Sequence, residues 1–290
     1  MTSLLQNKEM DIIRAWLASG FETELFDAAI RNLDDRQNPL RFNNFAYSVR
    51  ETIRHVLKRL APDEEVLRAQ WYKNDTERPE GVTRKQRAYF AVQGGLSDGY
   101  VRNSLGLDTD ADQKALGRAI DELNKYTHIE RPTFGVPESQ VETLAEQTVC
   151  AVAQLLGTVA ECRRRILEHL EEEIDAAAVD QVLSDSLVGI DEIASHFSVD
   201  EVNVGTVKVT AIDHERIHID VDGSIDCILQ YGSNSDVRRG DGAEIPQSFA
   251  FSCKLYCPVD DPGKLCVVED SVGVDTQAWR DARYGRGEYD

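Results

Sequence analysis

The sequence predicts an α+β protein: an all-α N-terminal domain, a long connecting helix, and a small, mainly antiparallel β domain near the C-terminus. Three observations carry that reading. Apolar residues recur at intervals of three and four through the first half, one such run is sustained from Glu138 to about Glu173, and the period then changes to two. At 290 residues with 41% hydrophobic positions the chain can bury the core of one large domain or two ordinary ones. The expected segments are 1–137 for the helical domain, 138–198 for the connecting helix region and 199–272 for the sheet. Residues 273–290, polar and rich in glycine, are left as a candidate mobile tail.

The elements follow in order. Leu4, Leu5, Ile12, Ile13, Trp16 and Leu17 share a helical face, as do Phe21, Leu25, Phe26, Ile30 and Leu33. Residues 34–41 (DDRQNPLR) read as a loop. The run FNNFAYSVRETIRHVLKRLAP then places Phe45, Val49, Ile53, Val56, Leu57 and Leu60 on one stripe that ends before Pro62. A further helix is expected soon after Asp63, and two more in RKQRAYFAVQGG and DADQKALGRAIDELNKY. From Glu138 to about Glu173 the 3.6-residue period is held by Val141, Leu144, Val152, Leu155, Val159, Ile166 and Leu170, and a shorter helical stretch runs to about His196. In ERIHIDVDG the residues Ile217, Ile219 and Val221 alternate with His218, Asp220 and Asp222. Asp222-Gly223 reads as a hairpin turn into SIDCILQYG. With VGTVKVTAI before, SFAFSCKLYC after and KLCVV beyond, four or five strands are expected.

Composition narrows the function classes. No run approaches eighteen apolar residues and the first residues carry acids where a signal peptide would be apolar, so a cytoplasmic protein with no membrane partner is expected. The six cysteines all lie in the second half without a paired zinc-ribbon spacing, which predicts buried thiols in a reducing compartment. The net charge of -20 is uneven: residues 1–137 carry 20 Lys+Arg against 21 Asp+Glu, and residues 138–290 carry 12 against 31. Phosphate binding relies on cations that displace counterions, so the first half is where a nucleic acid would be held.

The most chemical pattern is Arg50-x4-His55, on the cleanest amphipathic helix, where Arg54, Lys58 and Arg59 add positive charge suited to holding substrate. A histidine can move the proton of a ribose 2′-OH or of the leaving oxygen, and an arginine can hold the scissile phosphate. Five residues at 100° put the two side chains about 140° apart on an ideal helix. Either Arg50 sits where the backbone departs from ideality or two copies of the helix meet in a dimer. The alternative is an ordinary half-buried histidine on an arginine-rich helix. Arg164-x4-His169 has the same spacing, but Glu171, Glu172 and Glu173 follow it, which marks a solvated helix face.

The run FAYSVRETIRHVL resembles the motif helix of HEPN domains, all-α modules marked by an arginine followed four to six residues later by a histidine; the resemblance covers roughly residues 3–135. It implies a metal-independent endoribonuclease of a bacterial toxin or antiviral system, needing no cofactor, acting as a homodimer on RNA and leaving 2′,3′-cyclic phosphate. Arg50 would contact the phosphate, His55 would do acid/base work, and Glu51 would occupy the polar position after the arginine, neutralised by Arg54. Some HEPN domains serve only as dimerisation or RNA-binding modules, which keeps open a non-catalytic adaptor for a larger effector protein. The stretch LQYGSNSDVRRGDGAEIPQSFAF, within roughly residues 140–260, resembles predicted nucleases encoded beside bacterial PIWI-like proteins. That resemblance implies a defence context; in the adaptor alternative the acidic half would meet a basic surface of the larger partner protein.

Four further features carry residues capable of chemistry. His218, Asp220 and Asp222 share one strand face, with Asp226 expected on the next strand, and could hold Mg²⁺ or Mn²⁺ for a metal-dependent nuclease; a solvated sheet face shows the same alternation. Asp236, Arg238, Arg239 and Asp241 could pair among themselves or recognise a ligand. Cys253 and Cys257 fit buried packing better than zinc, and His128 closes a helix where its end carbonyls need partners.

Overall fold

The computed structural model describes residues 8–284 except 19, 109, 185 and 186. The chain is α+β, and it divides between Arg165 and Ile166 into two compact units. The first holds α1 (Lys8–Trp16), α2 (Phe21–Asp34), α3 (Arg41–Leu60), α4 (Asp63–Arg68), α5 (Arg84–Gln93), a π-helical turn (Tyr100–Ser104), α6 (Asp110–Thr127) and most of α7 (Glu138–His169).

Helix α3 organises this unit. Phe42, Phe45, Ala46, Val49, Ile53, Val56 and Leu57 are buried at helical spacing and pack with Met10 and Ile13 of α1, Phe26 and Leu33 of α2, Leu123 and Tyr126 of α6, and Val152 and Leu156 of α7. Its start is held by a buried arginine: Arg41 donates to the Leu33 carbonyl at the end of α2 (2.9 Å) and pairs with Glu138. Pro62 follows its end, as expected from the sequence. Helix α5 opens on a reciprocal cap, in which the Thr83 hydroxyl accepts from the Gln86 amide while the Gln86 side chain accepts from the Thr83 amide.

The second unit begins with the end of α7, which is separated from α8 (Glu171–Ser184) at Leu170, so the run expected to reach Glu173 is two helices. There follow α9 (Val188–Asp191), β1 (His196–Ile212), β2 (Arg216–Tyr231), α10 (Asn234–Arg239), β3 (Ala243–Pro258), β4 (Cys266–Val267), β5 (Gly273–Asp275) and α11 (Gln277–Tyr284). The strands form one antiparallel sheet in the order β1-β2-β3-β4, with β5 also paired to β3. Ile217, Ile219, Val221, Ile225, Cys227 and Leu229 of β2 share a buried face with Phe249, Phe251, Cys253, Leu255 and Cys257 of β3. Helix α8 packs on the sheet and buries Ile174, Ala178 and Val182. The expected tail is in part structured, since residues 273–284 carry β5 and α11; residues 285–290 lie outside the described residues.

The expected hairpin turn at Asp222-Gly223 is not there. Strand β2 runs straight through it, and Gly223 pairs with Val204 on one side and Phe251 on the other. The turn lies earlier, at Asp213–Arg216, where the Asp213 carboxylate accepts from the amides of Glu215 (2.7 Å) and Arg216 (2.6 Å) and from the His218 ring (2.6 Å). Burial pushes the Asp213 carboxyl up, but these hydrogen bonds outweigh it and hold the group below the usual range. Gly223 serves a different need: a Cβ there would lie 2.2 Å from the Asn203 carbonyl oxygen and 2.5 Å from the Phe251 ring.

Gly223→Ala is therefore expected to lower stability by about 1–3 kcal/mol through overpacking, read as a fall in the urea midpoint at unchanged slope. Measured in a Phe251→Ala background, the Gly223→Ala increment should be smaller but not zero, because the Asn203 carbonyl stays in place.

Candidate functional site

Because the apolar stripe of α3 faces the core, the residues between its apolar positions are turned outward together. They are Tyr47, Arg50, Glu51, Arg54, His55 and Lys58, again spaced by three and four. Four of them are joined by hydrogen bonds. The Arg50 guanidinium donates to the Glu51 carboxylate (3.3 Å), Arg54 Nε donates to its other oxygen (2.8 Å), and Arg54 Nη2 lies 3.0 Å from His55 Nε2. A guanidinium only donates, so in this arrangement His55 Nε2 accepts and the ring proton is on Nδ1.

Each end of this chain rests on a different helix. Arg50 reaches α6, donating to Thr127 Oγ1 (3.2 Å) and Asn124 Oδ1 (3.4 Å), and its head lies 5.5 Å from the Tyr47 ring centre. Its Nε is buried without an acceptor. His55 packs edge-on against Phe21, the first residue of α2, at 5.0 Å. The 140° separation thus stands, and Glu51 and Arg54 bridge it along the surface. Partial burial alone would raise the Glu51 carboxyl, but the Arg54 hydrogen bond and the charges of Arg54 and Arg50 hold it below the usual range. Glu51 is an ionised linker between two cations.

The remaining sequence candidates divide. Lys58 is exposed on the same strip. Arg59 is committed elsewhere: it donates to both oxygens of the buried Glu22 (3.1 and 2.9 Å) and to the Trp16 carbonyl (2.6 Å). Glu22 also accepts from the Ala18 amide (2.8 Å). Sequence reasoning missed Glu22, Phe21, Asn124 and Thr127, which come from helices remote in sequence. Tyr47 could have been found, since it stands one turn before Arg50. Arg164 pairs with Glu161 (2.6 Å) on an exposed face, and Glu161 is pushed down to about 2 by its hydrogen bonds to Arg164 and Arg165.

The sheet residues do not converge. Asp226 lies on β2, the same strand as Asp220 and Asp222, so Asp220 and Asp226 stand about 20 Å apart along it. Asp220 is flanked in register by Lys208 and Lys254, and His218 is held by the Asp213 turn. Asp236, Arg239 and Asp241 pair among themselves around α10, which the Ser233–Asp236 capping box opens. Cys253 and Cys257 are buried, and burial pushes their thiols up to about 11 and about 12.

The Glu22–Arg59 pair yields a pH prediction. Burial opposes ionisation of Glu22, but Arg59 and the Ala18 amide outweigh it, so the folded carboxyl lies below its ordinary value of 4.5. A depressed folded pKa stabilises above the unfolded value, and that share is lost as pH falls through the folded one. Glu22→Gln should cost about 1–3 kcal/mol at pH 7. The deficit should shrink below about pH 4.5, as read by urea denaturation across pH.

Among the described residues no helix is long and apolar enough to cross a membrane. No curated protein and no solved structure matches the chain. Two family models do, both described as predicted pPIWI-associating nuclease: one over residues 14–152 and one over residues 159–280. The likeness placed by sequence at about 140–260 therefore extends through the helical half as well. The two matches follow one another along nearly the whole length, and on them the chain belongs with the predicted pPIWI-associating nucleases.

Proposed function

We propose that the protein is a metal-independent RNA endonuclease of a bacterial defence system, with the outward strip of α3 as a HEPN-type active site. The observation that carries this reading is the hydrogen-bonded chain Arg50–Glu51–Arg54–His55, which joins two phosphate-binding groups to a base on one accessible surface. A phosphate oxygen is a strong acceptor for guanidinium donors and competes with Glu51 for Arg50 and Arg54. As Arg54 turns to the phosphate it releases His55 Nε2, whose lone pair takes the proton of the ribose 2′-OH. The 2′-oxygen bonds to phosphorus, the bond from phosphorus to the 5′-oxygen breaks, and that oxygen leaves with a proton from solvent or from His55 of a second copy. The products are a 2′,3′-cyclic phosphate and a free 5′-hydroxyl. Asn124 and Thr127 keep Arg50 aimed while charge gathers on the phosphate. Family membership supports nuclease chemistry, and the near-neutral charge of residues 1–137 supports RNA being held there.

The test is cleavage of labelled RNA in EDTA. Wild type should cut and leave cyclic phosphate, and Arg50→Ala and His55→Ala should each lose at least 100-fold in rate. Arg164→Ala should match wild type. Cutting only after Mg²⁺ is restored, with the Arg50 and His55 variants unaffected, would refute the mechanism. Absence of cutting under all conditions would favour the adaptor reading.

A further inference from the structure

Few large apolar side chains of the described residues stand exposed, and two of them flank the α3 strip. Tyr47 is 54% exposed beside Arg50, and Phe21 is 59% exposed beside His55. Neither contributes to the buried core; each touches one residue of the strip and is otherwise more than half exposed. The charge between them is modest. Arg50, Arg54 and Lys58 offset by Glu51 leave a net of about two positive charges, too few to hold a polyanion firmly at physiological salt. Cations interleaved with open aromatic faces are the arrangement that binds unpaired nucleic acid, with phosphates on the cations and bases on the rings. The spacing suits it: Tyr47 and His55 are eight residues apart on α3, about 12 Å along the axis, a span on the order of two nucleotides of extended strand.

We propose that Tyr47 and Phe21 are stacking platforms for bases on either side of the scissile phosphate, so that the substrate is unpaired RNA rather than duplex. This rests on the α3 strip being the active site. A duplex keeps its bases stacked on one another and offers the rings only its backbone, so it gains nothing from them. Stacking tolerates any base, which predicts weak sequence preference.

Binding can be separated from cutting with a 2′-O-methyl oligoribonucleotide, which lacks the attacking hydroxyl, labelled with 2-aminopurine and titrated against the full-length protein. Single strand should bind at least tenfold more tightly than the matching duplex, with quenched fluorescence. A strand of equal charge carrying two adjacent abasic sites should lose the advantage. Tyr47→Ala and Phe21→Ala should each weaken binding by about 5- to 150-fold, while Tyr47→Phe and Phe21→Trp retain it. Thermal melts of the two alanine variants should match wild type, since both rings are exposed. Equal affinity for single strand and duplex, or alanine variants that bind as wild type does, would overturn the proposal. Intact, ring-dependent binding with no cleavage of the unmodified strand would overturn the nuclease reading alone.

Discussion

The rotation of α3 about its own axis is the constraint on which the helical unit depends. Seven of its apolar side chains are buried against four other helices, and the six larger than alanine are each worth about 1.5–3 kcal/mol. Turning the helix by one residue would expose several of them and drive Glu51 or Arg54 into the core, where an unpaired charge is far costlier still. No alternative setting competes. The strip Tyr47, Arg50, Glu51, Arg54, His55 and Lys58 is therefore held outward by packing that involves none of its own polar groups. Chemistry placed opposite a strong apolar face can change without disturbing the fold, and it is presented on a rigid element rather than a loop.

What holds the strip's ends is a second layer of polar contacts. Arg50 is aimed by Asn124 and Thr127, and His55 is walled by Phe21, whose neighbour Glu22 is fixed by Arg59. Arg59 thus acts as a brace: it ties α3 to the start of α2, and so to the residue that touches His55. A helix rich in arginine can use identical side chains for opposite purposes. Arg41 and Arg59 are consumed in joining helices, whereas the ion pairs of Arg50 and Arg54 are both with Glu51, a carboxylate that another anion can replace.

That division marks the boundary of what could be read in the sequence. The period of α3, its end before Pro62 and the identity of its polar face were legible, because they follow from spacing within one segment. The difference between Arg54 and Arg59 was not, since it depends on Glu22, thirty-seven residues away in the chain from Arg59. The same limit explains the sheet. Asp-Gly followed by an alternating run is the local signature of a tight turn, yet Gly223 is required in mid-strand by the ring of Phe251 on β3. The local reading named the right residue and the wrong reason: the glycine answers a close approach from a neighbouring strand rather than a positive φ. At Asp213 the opposite occurs, where a turn lacking glycine is closed by a carboxylate that satisfies two backbone amides and a histidine.

The charge distribution and the strip's geometry lead to one conclusion about how such a surface can discriminate. Residues 138–290 carry 31 acids against 12 bases, so long-range attraction cannot be what draws a polyanion to this protein. A surface with a small local excess of cations must gain most of its affinity at contact range, where geometry counts. At that range Arg50 and Arg54 offer donors set by Glu51, and the rings of Tyr47 and Phe21 offer flat faces at either end. Weak attraction from afar combined with specific contact favours low background binding to bulk RNA. Under the proposed function, a strand that presents phosphate and bases together would then be retained, which suits a nuclease that must leave most RNA uncut.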